Sequence, residues 1–211
     1  MKVCLIAEGC YPYVVGGVSS WIHSLIQSFP QVEFSLVAIL SDRSMRGKFV
    51  YELPENLREV YEIYLLDQDW SPGRKGLESD KFAWMKLHRR HEEALQSLVI
   101  GENVDWRGVF DLFRDPDLSI NELLMSPAFL KIIRKYYKKN FSNITFSDFF
   151  WTLRSIYLPL FTAMQFIPPK ADIYHCVATG YSGIVGAMAK ALYPESAMLI
   201  SVAIVLELVS K

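Results

Sequence analysis

Residues 2–23 read KVCLIAEGCYPYVVGGVSSWIH, and this stretch decides the fold. Lys2–Ala7 is a continuous apolar run that ends sharply at Glu8-Gly9. A run without alternation predicts a strand buried on both faces, as in a parallel sheet. Pro12, Gly16 and Gly17 mark the loop that follows. From Val18 the spacing turns helical: Val18, Trp21, Ile22, Leu25, Ile26 and Phe29 share one face, and Pro30 stops the helix. Val32–Leu40 then reads as a second strand. Strand, glycine loop, helix and strand within about 40 residues make a βαβ unit.

Val60–Leu66 is the expected third strand. After it the strand pattern stops for about a hundred residues. Asp69–Gly76 reads as a polar turn region. Lys81–Val99 reads as a helix with Trp84, Leu87, His91, Leu95 and Leu98 on one stripe and Gly101 as its C-cap. Ser119 and Glu122 have the spacing of a capping box. Ser126-Pro127 reads as an N-cap followed by proline at the first helical position. Phe129, Ile132, Ile133 and Tyr136 form one apolar stripe. Phe146, Phe149, Phe150, Leu153, Ile156 and Leu160 form another, expected to kink before Pro159. The α/β rhythm returns with a strand at Ile173–Ala178, a tight turn at Thr179-Gly180, a helix at Gly183–Leu192 and a strand at Ala197–Leu206. The expected architecture is α/β: one domain over 1–211 with a Rossmann-like parallel sheet, helices on both faces and a helical subdomain inserted at about 68–166.

The 211 residues are 51% hydrophobic and 21% charged, a globular composition with a substantial core. The 22 basic and 23 acidic side chains leave a net charge of −1, which argues against nucleic acid as a partner. Cys4, Cys10 and Cys176 are odd in number and lack the paired spacing of a zinc site, which suits a reducing, cytoplasmic setting without metal. The apolar runs at 1–7 and 197–205 fall short of the about 20 residues of a membrane span.

Two loops follow expected parallel strands, where open sheets bind ligands. In the first, Gly16 and Gly17 allow close backbone approach, and the amides of the following helix at Val18 and Ser19 favour a phosphate. The spacing is neither GxGxxG nor a Walker motif, so the loop reads equally as a plain turn. The second is HCVATGYS, residues 175–182. His175 reads either as a core histidine with one hydrogen-bonded nitrogen or as a polar group lining a cleft, with Thr179 and Gly180 beside it. His88, His91 and Glu92 read as a solvated helix face. Lys131, Arg134, Lys135, Lys138 and Lys139 read as a solvated basic face, or one that touches an anionic glycan or membrane surface. No serine stands in a nucleophile elbow, and nothing pairs Cys10 with a base.

Glu8-Gly-Cys-Tyr-Pro-Tyr-Val-Val-Gly-Gly-Val-Ser-Ser-Trp-Ile-His23 resembles the N-terminal signature of the bacterial Pel exopolysaccharide glycosyltransferases. These are a branch of the family 4 retaining glycosyltransferases with a GT-B fold. Asp172-Ile-Tyr-His-Cys-Val-Ala-Thr-Gly-Tyr-Ser-Gly183 resembles a second signature, and the helical block between them resembles that branch's insertion. The resemblance covers about residues 1–200. It implies the N-terminal, acceptor-side half of a two-domain enzyme that moves a sugar from a nucleotide-sugar, a UDP-sugar by expectation, to a growing glycan. It places Gly16 and Gly17 at the donor diphosphate and His175 as the catalytic-site group near the transferred sugar; Thr179 and Gly180, in the loop beside His175, are further candidates for the substrate side. It implies no metal and no cofactor beyond the donor, and the membrane-associated polysaccharide synthesis machinery as a partner. The donor half would follow beyond residue 211. After Leu199-Ile200-Ser201 the chain departs from the family pattern, so the chain by itself is expected to be inactive. The alternative is a non-catalytic glycan- or protein-binding module built on the same half-fold. An isolated half would expose Tyr11, Tyr13 and Val14 and self-associate through them.

Overall fold

The opening run forms β1 (Lys2–Glu8), whose Cys4, Leu5 and Ile6 are wholly buried. In a computed structural model describing residues 1–66 and 87–201, β1 is the central strand of a five-stranded sheet. The others are β2 (Glu33–Leu40), β3 (Leu57–Tyr64), β4 (Ile173–Cys176) and β5 (Ala197–Ile200). The order is β3-β2-β1-β4-β5, and every pairing is parallel. The strand order therefore reverses between β1 and β4. A parallel strand has crossovers on both sides of it, so it needs apolar residues on both its faces, which is why β1 shows no alternation.

Among the described residues, α1 (Gly17–Ser28) and α7 (Tyr181–Leu192) cover the two faces of the sheet. The first buries Ile22 and Ile26 in one cluster with Val3, Leu5 and Ala7 of β1 and Leu36 of β2. Burying each isoleucine contributes roughly 1.5–3 kcal/mol. The alternate residues of β1 face the other way. There Ile6, with Cys176 of β4, lies under Gly186 of α7. The Rossmann-like α/β fold with helices on both faces is thus the observed one.

The chain divides into two compact units, Met1–Asp67 with Phe166–Lys211 and Gln68–Gln165. The described part of the second unit is helical: α2 (Arg89–Ile100), α3 (Trp106–Phe113), α4 (Ile120–Met125), α5 (Pro127–Asn140) and α6 (Phe146–Gln165). Local chemistry sets the ends of these helices. Gly101 ends α2 in the left-handed region at φ 76°. Ser119 Oγ accepts from the Glu122 amide at 3.3 Å. Ser126 Oγ, fully buried, accepts from the Phe129 amide at 3.1 Å and donates to the Leu123 carbonyl at 2.8 Å.

Several boundaries differ from expectation. Of the expected helix at Lys81–Val99, residues 81–86 with Trp84 lie outside the described residues, as does Asp69–Gly76; α2 starts at Arg89 with His88 as its N-cap. β3 starts three residues earlier than Val60, and β4 ends at Cys176 instead of Ala178. β5 ends at Ile200, and the rest of Ala197–Leu206 beyond Ser201 lies outside the described residues. One helix runs from Phe146 through Pro159 to Gln165. Ile156, expected on the buried stripe, is 58% exposed. α3 had no strong sequence signal, because eight residues give barely two turns of periodicity.

Candidate functional site

The loops after β1 and β4 leave the carboxyl edge of adjacent parallel strands, at the point where the strand order reverses. Open α/β sheets bind their ligands in this position. The first loop carries Gly16–Ser19 and the second Thr179 and Gly180, so topology sets these expected site residues on one sheet edge.

Gly16 is the N-cap of α1. It offers no side-chain cap, and no acidic residue stands in the first turn. Gly16 and Gly17 are exposed, Val18 is half-buried and Ser19 is buried. A Cβ built on Gly16 would meet no atom within 4 Å, so the space above it is open. The backbone there is extended, with φ 177°. What remains is a helix start with its positive dipole end uncovered, which suits an anion.

His175 sits within β4, opposite Leu5 of β1 and Leu199 of β5. It is only 7% exposed. Its Nε2 and Ser201 Oγ share a hydrogen bond of 2.8 Å. The Trp21 indole of α1 meets the imidazole edge-on at 5.6 Å between centroids. Burial pushes the imidazole pKa below its ordinary 6.5, so the ring is neutral at pH 7. Trp21 lies one helical turn beyond Gly17, and it joins the glycine start of α1 to His175 by contact. The helical periodicity expected it in the core, yet it is 41% exposed, because it lies over the imidazole.

Thr179 and Gly180 are exposed, but their loop has an internal partner. Glu8, the last residue of β1, accepts a hydrogen bond from the Ser182 amide at 2.5 Å. A Cβ on Gly180 would stand 3.0 Å from both Glu8 oxygens. The start of α7 is thus capped by a carboxylate from another strand. The sequence places Glu8 only at the end of a strand and Trp21 only on a helix stripe, so neither role is visible in it. The signal for Glu8 is an acidic residue at the end of a buried strand beside a helix start that has no cap of its own.

The loop between β1 and α1 is pinned from below. Tyr11 and Tyr13 are 0% and 2% exposed, so the expectation that they lie open is overturned. Tyr11 shares a 3.2 Å hydrogen bond with His23 Nδ1 and stacks at an angle on Tyr51. Tyr13 donates to Glu62, which also accepts from Tyr64 at 2.5 Å. Burial raises the Glu62 pKa, but these bonds and the Gly47 amide outweigh it and hold the carboxyl below its usual value. Val14 and Val15 remain exposed at the tip. Burial pushes the Cys10 thiol pKa up, so it is no activated nucleophile.

Among the described residues, no group of three or more His, Cys, Asp or Glu side chains could hold a metal ion. None of their helices is long and apolar enough to cross a membrane. On the helical unit, Glu92 pairs with Lys131 at 3.5 Å, and the His88 and His91 rings meet edge-on at 6.2 Å.

Fold and edge together define an open parallel α/β domain of Rossmann-like type with two loops at its switch point. The chain belongs to the family described as Domain of unknown function (DUF3492), whose model matches residues 1–201. No curated protein and no solved structure matches the chain.

Proposed function

We propose that the chain is the N-terminal, acceptor-side domain of a retaining glycosyltransferase of the Pel exopolysaccharide type, using a nucleotide-sugar donor. The observation that carries this reading is the uncapped start of α1 at Gly16-Gly17, open to solvent on the switch-point edge. Bare amides and a helix dipole match a diphosphate without a cation from this domain. The two sequence signatures fall on the two loops that the topology makes neighbours. His175, neutral and fixed by Ser201, is suited to hydrogen-bonding a sugar hydroxyl rather than to holding a charge. In the proposed enzyme the donor ribose and uracil are held by a second domain, so the affinity of this domain for the donor rests on the diphosphate and is weak. The domain works in the cytoplasm, where nucleotide-sugars are made.

A second reading has its own support: His175 Nε2 and the Ser182 amide already have internal partners. In that reading the loops are structural turns of a non-catalytic glycan- or protein-binding module. Titration calorimetry of the 211-residue chain with UDP and UDP-glucose separates the two. Binding of both, lost in Gly17→Val with folding intact by circular dichroism, supports the glycosyltransferase reading. No heat with either ligand at millimolar concentration overturns it.

A further inference from the structure

The helical unit carries a charged feature that lies outside the switch-point loops. α5 holds Lys131, Arg134, Lys135, Lys138 and Lys139 and no acidic residue in its fourteen positions. Its apolar residues Phe129, Ile132 and Ile133 are buried, so all five cations point away from the core. Residues 131, 134, 135 and 138 follow helical spacing and line a groove of about 530 Å³ with Pro127 and Leu130. Lys131 is paired with Glu92. Among the described residues, no carboxylate lies within ion-pair distance of Lys135, Lys138 or Lys139.

Exposed apolar side chains stand beside these cations. The turn from α5 to α6 follows Lys138 and Lys139 directly and presents Phe141, 37% exposed, and Ile144, 42% exposed. The Tyr137 hydroxyl donates to the Ile144 carbonyl at 2.5 Å and holds the turn in place. Phe141, Ile144 and Ile156 also rim an apolar pocket of about 390 Å³ bounded by Tyr136. Tyr136 in turn borders a second hollow lined by Lys135 and Lys139, where Glu102 is the only carboxylate among the lining residues. Cations and apolar groups therefore form one continuous surface, with Tyr136 at the seam.

We propose that this face of the helical unit docks on an anionic lipid bilayer. A soluble polyanion would use the lysines and leave Phe141, Ile144 and Ile156 in water. A bilayer uses both: lipid phosphates meet the ammonium groups, and the apolar side chains enter the headgroup boundary. This inference is independent of the glycosyltransferase reading, since it involves only the helical unit.

The test is flotation of the 211-residue chain with vesicles of phosphatidylglycerol and phosphatidylcholine (3:7), against pure phosphatidylcholine. The expected result is flotation with the anionic vesicles only, lost between 0.05 and 0.5 M NaCl as charge is screened. The triple variant K135Q/K138Q/K139Q should bind on the order of a hundredfold more weakly, about fivefold per charge removed. The variant I144S/I156S keeps every charge and should bind several-fold more weakly. Both change exposed side chains, so circular dichroism should match wild type. No flotation of wild type, equal flotation with pure phosphatidylcholine, or an I144S/I156S variant that binds like wild type overturns the proposal. The last outcome would mark a polyanion site instead.

Discussion

The Glu8 carboxylate accepts the Ser182 amide at 2.5 Å across 174 residues of chain. It fastens the end of β1 to the start of α7 and so sets the spacing of the two switch-point loops. Negative charge at a helix start is stabilising through both the hydrogen bond and the dipole. Glu8→Ala should cost about 1 kcal/mol, a Tm lower by roughly 2–4 °C. A thermal melt indistinguishable from wild type would mean that the cap contributes nothing.

Gly186 is required by packing. Its backbone lies so close to β4 that a Cβ would fall on Cys176 Sγ and come within 2.9 Å of Met198 Cε. Gly186→Ala should destabilise the chain by about 1–3 kcal/mol through overpacking, despite alanine's better helix propensity. Urea denaturation is the measurement, with the midpoint expected to fall.

Gly16 makes the opposite case. Open space and an extended backbone let any side chain fit, so Gly16→Val should melt within about 0.5 kcal/mol of wild type. Its side chain would stand where the proposed donor site brings a diphosphate to the first amides of α1. UDP affinity should drop at least about tenfold, the equivalent of about 1.4 kcal/mol. Calorimetry showing unchanged UDP affinity would remove the glycine loop from the donor site.

His175 couples stability to pH. Its folded pKa lies below the ordinary 6.5, so between those two values the unfolded chain binds more protons than the folded one. Its contribution is complete above pH 6.5 and declines as the pH falls below that value. Denaturation at pH 7.5 and pH 5.5 should show a larger loss for wild type than for His175→Gln, which has no proton to take up. Equal losses would place the titrating group elsewhere. If the proposed glycosyltransferase role holds, His175→Ala should lower kcat of the full enzyme more than donor affinity, because that role gives His175 a sugar contact and no phosphate contact.

Ser126 anchors the helical unit. Its hydroxyl caps α5 and binds the end of α4 with no exposure to water. Ser126→Ala should cost about 1–2 kcal/mol, since the Phe129 amide then stays buried and unpaired. Hydrogen exchange at Phe129 should rise accordingly.

Local pattern determined a good deal of this protein. The unbroken apolar run of β1, the glycine start of α1, the left-handed Gly101 and the Ser126-Pro127 cap all follow from chemistry within a few residues, which a sequence displays directly. So does the alternation between an α/β frame and a helical middle. Tertiary structure decided the rest, because the partners are far apart in the chain. Only the strand order put β4 beside β1 and made the two loops neighbours. The Glu62 carboxylate from β3 turned Tyr13 inward, and the aromatic cluster with His23 and Tyr51 buried Tyr11. Trp21 left the core stripe for the imidazole of His175 on β4. A side chain's spacing gives the face it occupies on its own element, but its exposure depends on what long-range pairing brings against that face.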